Sequence, residues 1–274
     1  MQIGVLQMNA GIDPAANART IVAAIDDAKA AGCRMLFTPE MSNLLDSDRT
    51  RSESHLRSEA DDETLAAVQA AARAAEIWVH LGSLALRGDE NKRVNRGLVI
   101  DDTGRVRARY DKIHLFDVDL PTGERWRESA VYARGERAVA TDTPAGRLGL
   151  SICYDMRFPD LYRALTGAGA SILAIPAAFT VPTGRAHWHV LLRARAIEAG
   201  VFVVAAAQTG RHDDGRETFG HSLVIDPWGE VLLDMGDQPG LGVAEIDLDQ
   251  VTAIRARVPA LHHRRDIPPV EISE

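Results

Sequence analysis

Apolar and polar positions follow two rhythms along this chain, one strand-like and one helical, and the two take turns. Gln2–Met8 is a strand-length apolar run. Asp13 and Pro14 then read as the N-cap and first residue of a helix to Ala31, closed by Gly32, with Ile21, Val22, Ile25 and Ala28 on one face. Arg34–Thr38 is a short strand that delivers Pro39 and Glu40 at its carboxyl end. The polar stretch Met41–Asp62 reads as a lid or a surface loop. Asp61 and Asp62 start a second helix through Ala75, and Ile77–Ser83 is a third strand. Arg93–Ile100 and Arg105–Tyr110 predict a hairpin, because Asp101-Asp102-Thr103-Gly104 between them has turn chemistry. That hairpin delivers Asp111 and Lys112.

Ile113–Glu136 has neither rhythm and contains Pro121, Gly123, Trp126 and Glu128, so it reads as a long functional loop across a sheet edge. Strands over Arg137–Ala140 and Arg147–Ile152 flank a turn at Thr143–Gly146, and Cys153 follows directly. Phe158–Ala168 has helical spacing behind Pro159, Ser171–Pro176 is a strand, and Ala186–Ala199 is a helix ended by Gly200. Val201–Ala207 is apolar throughout, which predicts a strand buried on both faces. Thr218–Asp226 and Glu230–Asp234 read as a hairpin around Pro227-Trp228-Gly229, Gly242–Ile246 pairs onward, and Asp247–Arg257 is a last helix. The segment from Val258, with Pro259, Pro268 and Pro269, reads as an arm. Helix-linked strands mixed with hairpins predict an α/β domain over residues 1–274, with two sheets covered by helices. No internal repeat or low-complexity segment interrupts it.

Composition narrows the functions such a fold can serve. The 274 residues are 46% hydrophobic, enough for a sizeable core. Lys and Arg number 31 against 39 Asp and Glu, a formal charge of −8, so no basic face is available for phosphates and no nucleic-acid partner is expected. Cys33 and Cys153 lie far apart without C-x-x-C spacing, which argues against a disulfide framework or zinc site and suits a reducing compartment. The amino terminus has no signal-peptide pattern and no run is long enough to span a bilayer, so the expected location is the cytoplasm, with no membrane partner. Neither G-x-G-x-x-G nor G-x-x-x-x-G-K-[ST] occurs, and no cofactor is expected. No metal site is expected either: His187 and His189 are two apart on a predicted helix, and His262-His263 lies in the arm.

Three polar residues, Glu40, Lys112 and Cys153, each follow a predicted strand, where α/β folds collect reactive groups. A thiol at a strand-to-helix corner sits near free N–H groups and a positive helix end, which favours thiolate, although a buried structural cysteine fits the pattern too. Glu40 has the chemistry to take a thiol proton, and Lys112 to hold an oxyanion formed on a carbonyl. Singly, each also reads as an ordinary ion-paired residue; their joint placement is what points to chemistry. Gly149-Leu150-Ser151-Ile152-Cys153 lacks the last glycine of G-x-S-x-G, which disfavours a serine hydrolase and leaves Ser151 to packing. Arg193 and Arg195 read as a salt-bridged helix face, and Cys33 as core.

Three blocks resemble the catalytic blocks of the nitrilase superfamily, the carbon–nitrogen hydrolases: Pro39-Glu40, the run Tyr110-Asp111-Lys112-Ile113-His114-Leu115-Phe116-Asp117, and Gly149 through Pro159. The likeness continues through Thr183–Trp188, Arg193–Glu198, Gly220-His221-Ser222 and Asp226–Glu230, and so runs from Gln2 to about Arg265. It implies an α/β fold forming a four-layer α-β-β-α sandwich, with two central mixed sheets flanked by helices. It also implies that Glu40 is the general base, Lys112 the oxyanion stabiliser and Cys153 the nucleophile. Glu128 corresponds to a second glutamate supporting the lysine, and the Tyr154 N–H to part of the oxyanion hole. The implied reaction is amide hydrolysis through a thioester, and the implied assembly a homodimer or higher homo-oligomer.

Within the superfamily, Ala205–His212 and Ala186-His187-Trp188 are most similar to the branch acting on deaminated glutathione. The omega-amidases, nitrilases and N-carbamoyl amino acid hydrolases share the catalytic set. A substrate carboxylate calls for a cation, and the candidates for the binding site are Arg157 first, then Arg185, His187 and Arg211. Each also reads as a solvent-facing residue. Other classes stay open: a binding scaffold on the same fold, or an amide-group transferase with an unspecified acceptor.

Overall fold

The strand-length apolar runs pair into two six-stranded sheets. In the computed structural model, which describes residues 1–89, 92–119, 123 and 125–273, the amino-terminal half supplies β1 (Gln2–Gln7), β2 (Met35–Phe37), β3 (Trp78–Arg87), β4 (Arg93–Ile100) and β5 (Val106–Asp111). Helices α1 (Pro14–Ala30), α2 (Arg49–Glu53) and α3 (Glu63–Ala75) lie between the early strands. A small hairpin, β6 (Asp117–Asp119) with β7 (Arg125–Arg127), follows. The second half contains β8 (Ala140–Thr143), β9 (Gly146–Leu150), α4 (Pro159–Gly167), β10 (Ile172–Ala174), α5 (Val181–Ala199) and β11 (Phe202–Ala205). After these come β12 (Thr209–Arg211), β13 (Glu217–Phe219), β14 (Leu223–Ile225), β15 (Val231–Asp234), β16 (Gly240–Glu245), α6 (Leu248–Arg257) and α7 (Ala260–His263).

Both sheets are mixed. The first has the order β16-β1-β2-β3-β4-β5 and the second β15-β14-β11-β10-β9-β8. In each, three central strands run parallel, joined through helical segments, while hairpin-linked strands run antiparallel at the flanks. Period-two alternation sorts the side chains. Ile3, Val5, Met35, Phe37 and Val99 join the core shared with the second sheet, whereas Leu6, Leu36, Leu98 and Ile100 join the core under α1 and α3. Helices α4 and α5 cover the far side, with Leu161, Trp188 and Leu192 buried. The layers are therefore helix, sheet, sheet, helix, as expected. Helix starts follow the capping chemistry as well: Asp13 accepts from the Ala15 N–H at 2.9 Å and Asp62 from the Leu65 N–H at 2.8 Å. Among the described residues no helix is long and apolar enough to cross a membrane.

Several boundaries differ from the sequence reading, each for a local reason. The strand expected over Arg137–Ala140 lies at Ala140–Thr143, because the turn locks Thr143 opposite Gly146 and the strand must run back from there. Helix α5 starts at Val181 rather than Ala186. Its first turn holds Pro182, and Gly184 is tolerated inside it because a Cβ there would strike the Phe219 ring. The run Thr218–Asp226 is two strands, β13 and β14, separated by Gly220 and His221 with φ of 71° and 52°. Strand β16 does not continue the β15 hairpin but crosses to pair antiparallel with β1. The aperiodic stretch after Lys112 holds the β6–β7 hairpin and a 3-10 turn at Glu128–Ala130; Pro121 lies outside the described residues. Finally, Met41–Asp62 is anchored in its first part, whereas Ser47–Arg51 are exposed as a surface loop would be. Ser42–Leu45 are buried, and Asn43 is pinned by hydrogen bonds to the Ala85 backbone in both directions and to Asp62.

Candidate active site

Glu40, Lys112 and Cys153 come together beyond the carboxyl ends of strands from both six-stranded sheets, and Glu128 joins them from the 3-10 turn after β7. Glu40 follows β2 and is 4% exposed. Gly82 allows its approach, since a Cβ at that position would collide with the Thr38 and Pro39 carbonyls. The carboxylate is saturated with donors: Oε1 accepts from Lys112 Nζ and Asn95 Nδ2, both at 2.9 Å, and Oε2 from the Ala178 N–H at 2.8 Å. Gln208 Nε2 holds the Glu40 carbonyl at 2.9 Å. Lys112, one residue beyond β5 and 2% exposed, also reaches Glu128 Oε2 at 2.9 Å and Oε1 at 3.2 Å. Glu128 is fixed by the Phe116 N–H at 2.7 Å.

Cys153 follows β9 at φ 48°, an uncommon conformation for a non-glycine residue, and its N–H donates to the Pro176 carbonyl at 2.9 Å. It opens a 3-10 turn, Cys153–Arg157, and α4 begins only at Pro159. The corner therefore lacks the α-helix end that the sequence places at the thiol. Burial, followed by the Glu40 charge, pushes the thiol well above its ordinary value of 9.0, with Lys112 opposing. The resting group is a neutral thiol, which corrects the expectation of a thiolate. Burial raises the Glu40 carboxyl too, but the charge and hydrogen bond of Lys112 and the Ala178 and Asn95 donors together hold it below 4.5. For Lys112, burial acts against the ammonium, and the charges of Glu128 and Glu40 outweigh it and lift the group well above 10.5. A buried anion, ammonium and neutral thiol thus share one site. The Tyr154 N–H has no hydrogen-bond acceptor among the described residues, so a donor stands ready beside the sulfur.

Two positions that the sequence reading did not single out hold this arrangement. Asn95, fully buried on β4, donates to Glu40 and, at 3.3 Å, to Glu128 Oε1, which ties the two carboxylates together. Asp155, also fully buried, accepts four hydrogen bonds: from the Tyr110 hydroxyl at 2.7 Å, the Ile152 N–H at 2.8 Å, the His114 N–H at 3.0 Å and His114 Nδ1 at 2.7 Å. It clasps the Lys112 segment to the Cys153 segment. The only sequence signal was the place of Asp155 in the matching block Gly149–Pro159; Asn95 lies outside every such block, and neither residue stands at a strand end. Replacing Asp155 by alanine strands those donors and should cost about 3–5 kcal/mol of stability, read from the urea midpoint. A loss under about 1 kcal/mol would show that the two segments are held by other contacts.

The four residues line a cavity of about 320 Å³ whose wall also includes Leu44, Tyr132 and Phe179, a size suited to a small molecule. Arg157, Arg185, His187 and Arg211 are not part of that wall. Arg157 Nη2 instead meets His187 Nδ1 at 3.1 Å beside Phe179, while Arg185, His187 and Arg211 are exposed. The wall's arginines are Arg49, Arg93, Arg125, Arg127 and Arg216; Arg93 opens β4, and Arg49, Arg125 and Arg127 come from stretches read as loops. Most are already engaged: Arg93 with Glu53, Arg127 with Asp119 and Arg216 with Asp214. Ser151 is structural, donating to the Ala174 carbonyl and accepting from Tyr162.

Residues 2–256 match the family model described as carbon-nitrogen hydrolase. The nitrilase and fragile histidine triad fusion protein NitFhit of Caenorhabditis elegans is 41% identical over 276 residues, 99% of this chain; the chain spans about 62% of that relative's length. Its crystal structure superposes with a TM-score of 0.89 at 40% identity, over 96% of this chain and 65% of that one. A deaminated glutathione amidase of Yersinia enterocolitica is 40% identical over 86% of this chain and 83% of its own length. An amidase of Nesterenkonia sp. AN1, solved with acrylamide added at its active-site cysteine, has a TM-score of 0.78 at 27% identity, covering 94% of this chain and 98% of that one. With the layered sheets and the convergent glutamate, lysine and cysteine, these likenesses make the chain a member of the carbon-nitrogen hydrolase family of the nitrilase superfamily.

Proposed function

We propose that the protein hydrolyses an amide bond of a small carboxylate-bearing substrate through a thioester on Cys153, releasing the amine, which is ammonia where the amide is primary. The observation that carries this reading is the enclosure of Cys153, Glu40 and Lys112 in one cavity, with Glu128 behind the lysine. The amide oxygen sits between Lys112 Nζ and the Tyr154 N–H. Glu40 takes the thiol proton as sulfur attacks the carbonyl carbon, and the two donors hold the oxyanion. Because the thiol is raised and Glu40 is lowered, proton transfer ahead of attack is uphill, so thiolate forms only as the carbon–sulfur bond does. Glu40 then returns the proton to the departing nitrogen, and the amine, or ammonia from a primary amide, leaves. Next it takes a proton from water, whose oxygen attacks the thioester; the acid departs and the sulfur regains the proton.

Relatives named deaminated glutathione amidase support that compound as the first substrate to try. For its carboxylate we assign Arg49, at the rim of the cavity and without an ion pair among the described residues, in place of Arg157. A hydrolysis screen tests the class, following release of the cysteinylglycine amine from deaminated glutathione and of ammonia from alpha-ketoglutaramate, uncharged primary amides, carbamoyl amino acids and nitriles; no hydrolysis of any amide sinks it. Arg49→Ala should raise KM for acidic amides about tenfold with kcat nearly unchanged, a change of about 1.4 kcal/mol. An unchanged KM removes Arg49 from the assignment. A homodimer belongs to this reading, supported by exposed apolar Val190, Ile197 and Trp228, and sedimentation across a range of concentrations checks it.

A further inference from the structure

Three side chains that the hydrolytic reaction leaves unused meet on the other half of the molecule. They are His189 on α5, His221 at the corner between β13 and β14, and Asp234 at the end of β15. His189 Nε2 lies 3.0 Å from Asp234 Oδ2, and His221 Nδ1 lies 2.8 Å from Asp234 Oδ1. One donor atom from each falls within 4.8 Å of the others, and all three side chains are partly exposed. Two imidazoles and a carboxylate form a donor set typical of zinc and its neighbours, with positions left open to water.

The surroundings fix these donors in place. His221 is held at φ 52°, a backbone state that disfavours a non-glycine residue, while its N–H donates to the Gly236 carbonyl at 2.6 Å and its carbonyl accepts from Trp188 Nε1 at 2.7 Å. Phe219 stacks on its ring at 4.5 Å, and the Gly236 N–H donates to Asp234 Oδ1 at 3.0 Å. Such outer contacts orient ligands at metal sites. Sequence spacing hid the cluster, since its members come from three separate elements.

We propose that His189, His221 and Asp234 bind a divalent transition-metal ion, with zinc the expected occupant and water completing its coordination. The nitrogen-to-oxygen separations are slightly shorter than the edge of a tetrahedron with bonds of about 2.0–2.1 Å, so the ion replaces the shared protons with small side-chain movements. It acts as a clamp between α5 and the β13–β15 region, where Glu217 and Thr218 line the catalytic cavity.

The test uses tag-free Cys153→Ala protein, which removes the one thiol in the cavity that zinc also favours. Isothermal titration with zinc chloride at neutral pH should give about one ion per chain, with a melting temperature raised by about 5 °C at saturating zinc. His189→Gln and Asp234→Asn in that background should each weaken binding about tenfold or more, and His221→Asn, which tolerates the left-handed backbone, should do the same. Failure of the parent to take up zinc at micromolar concentrations, or affinity equal to the parent's in all three variants, overturns the proposal.

Discussion

Cys153→Ala lowers kcat about 100,000-fold or more while leaving the protein folded. The side chain contributes a sulfur and little packing volume, and the 3-10 turn that carries it is held by the Asp155 clasp rather than by the thiol. Serine does not rescue it. A hydroxyl is a weaker acid than a thiol, and Glu40, kept below 4.5 by Lys112, Ala178 and Asn95, is too poor a base to ionise it. Release of the amine product measured under saturating substrate, with circular dichroism as the folding check, decides the matter. Release by Cys153→Ala within about tenfold of the wild-type rate removes the thioester from the mechanism.

Glu40→Gln carries the second large effect, a loss of about 100- to 10,000-fold in kcat. Both half-reactions need this carboxylate as base, so the variant is slow to acylate and slow to release acid, and no acyl-enzyme accumulates early. The wild-type pH profile carries the same signature. Because the Glu40 carboxyl lies below its ordinary 4.5, its basic form survives into acid, and the acid limb of kcat/KM falls below the usual carboxylate range. Lys112 and the Cys153 thiol are both raised, so the plateau extends through neutral pH into the alkaline range. Stability follows the same sign. A depressed carboxyl stabilises the fold above its unfolded value, and that contribution is lost as pH falls through the folded one. The limbs belong to a coupled set rather than to single residues. An acid limb near pH 6, or a Glu40→Gln profile superimposable on the wild type, assigns the base elsewhere.

Most of the fold was legible because its signals are local. Asp13 and Asp62 cap the helices they were expected to cap, and the alternation in β1 and β2 divides the two cores. Placement of Glu40, Lys112 and Cys153 in one cavity followed from strand ends, since parallel strands bring their carboxyl ends to one side. What escaped depends on long-range contact. Nothing local announces that Asn95 bridges two carboxylates, or that the buried Asp155 joins segments 41 residues apart. Arg157 misled because adjacency to Cys153 along the chain is not adjacency in space: its guanidinium turns to His187, and the cavity takes its arginines from elsewhere, Arg49, Arg125 and Arg127 from segments without period and Arg93 from the start of β4. The thiol was misread for a related reason, since a 3-10 turn stands where a helix end was expected and burial decides its charge.

The pairing of β1 with β16 sets how this chain can be assembled during synthesis. The Gln7 amide bonds acceptors 229 and 231 residues away, and β1 has β2 on one side and β16 on the other. Entropy is not the obstacle, because each doubling of a closed loop costs only about 0.6 kcal/mol. Time is. Until Gly240–Glu245 has left the ribosome, β1 keeps a row of unpaired N–H and C=O groups facing solvent, an open template for another chain. Stalled or truncated chains ending before β16 therefore carry that sticky margin permanently, and they are the species most prone to aggregate and to require chaperones.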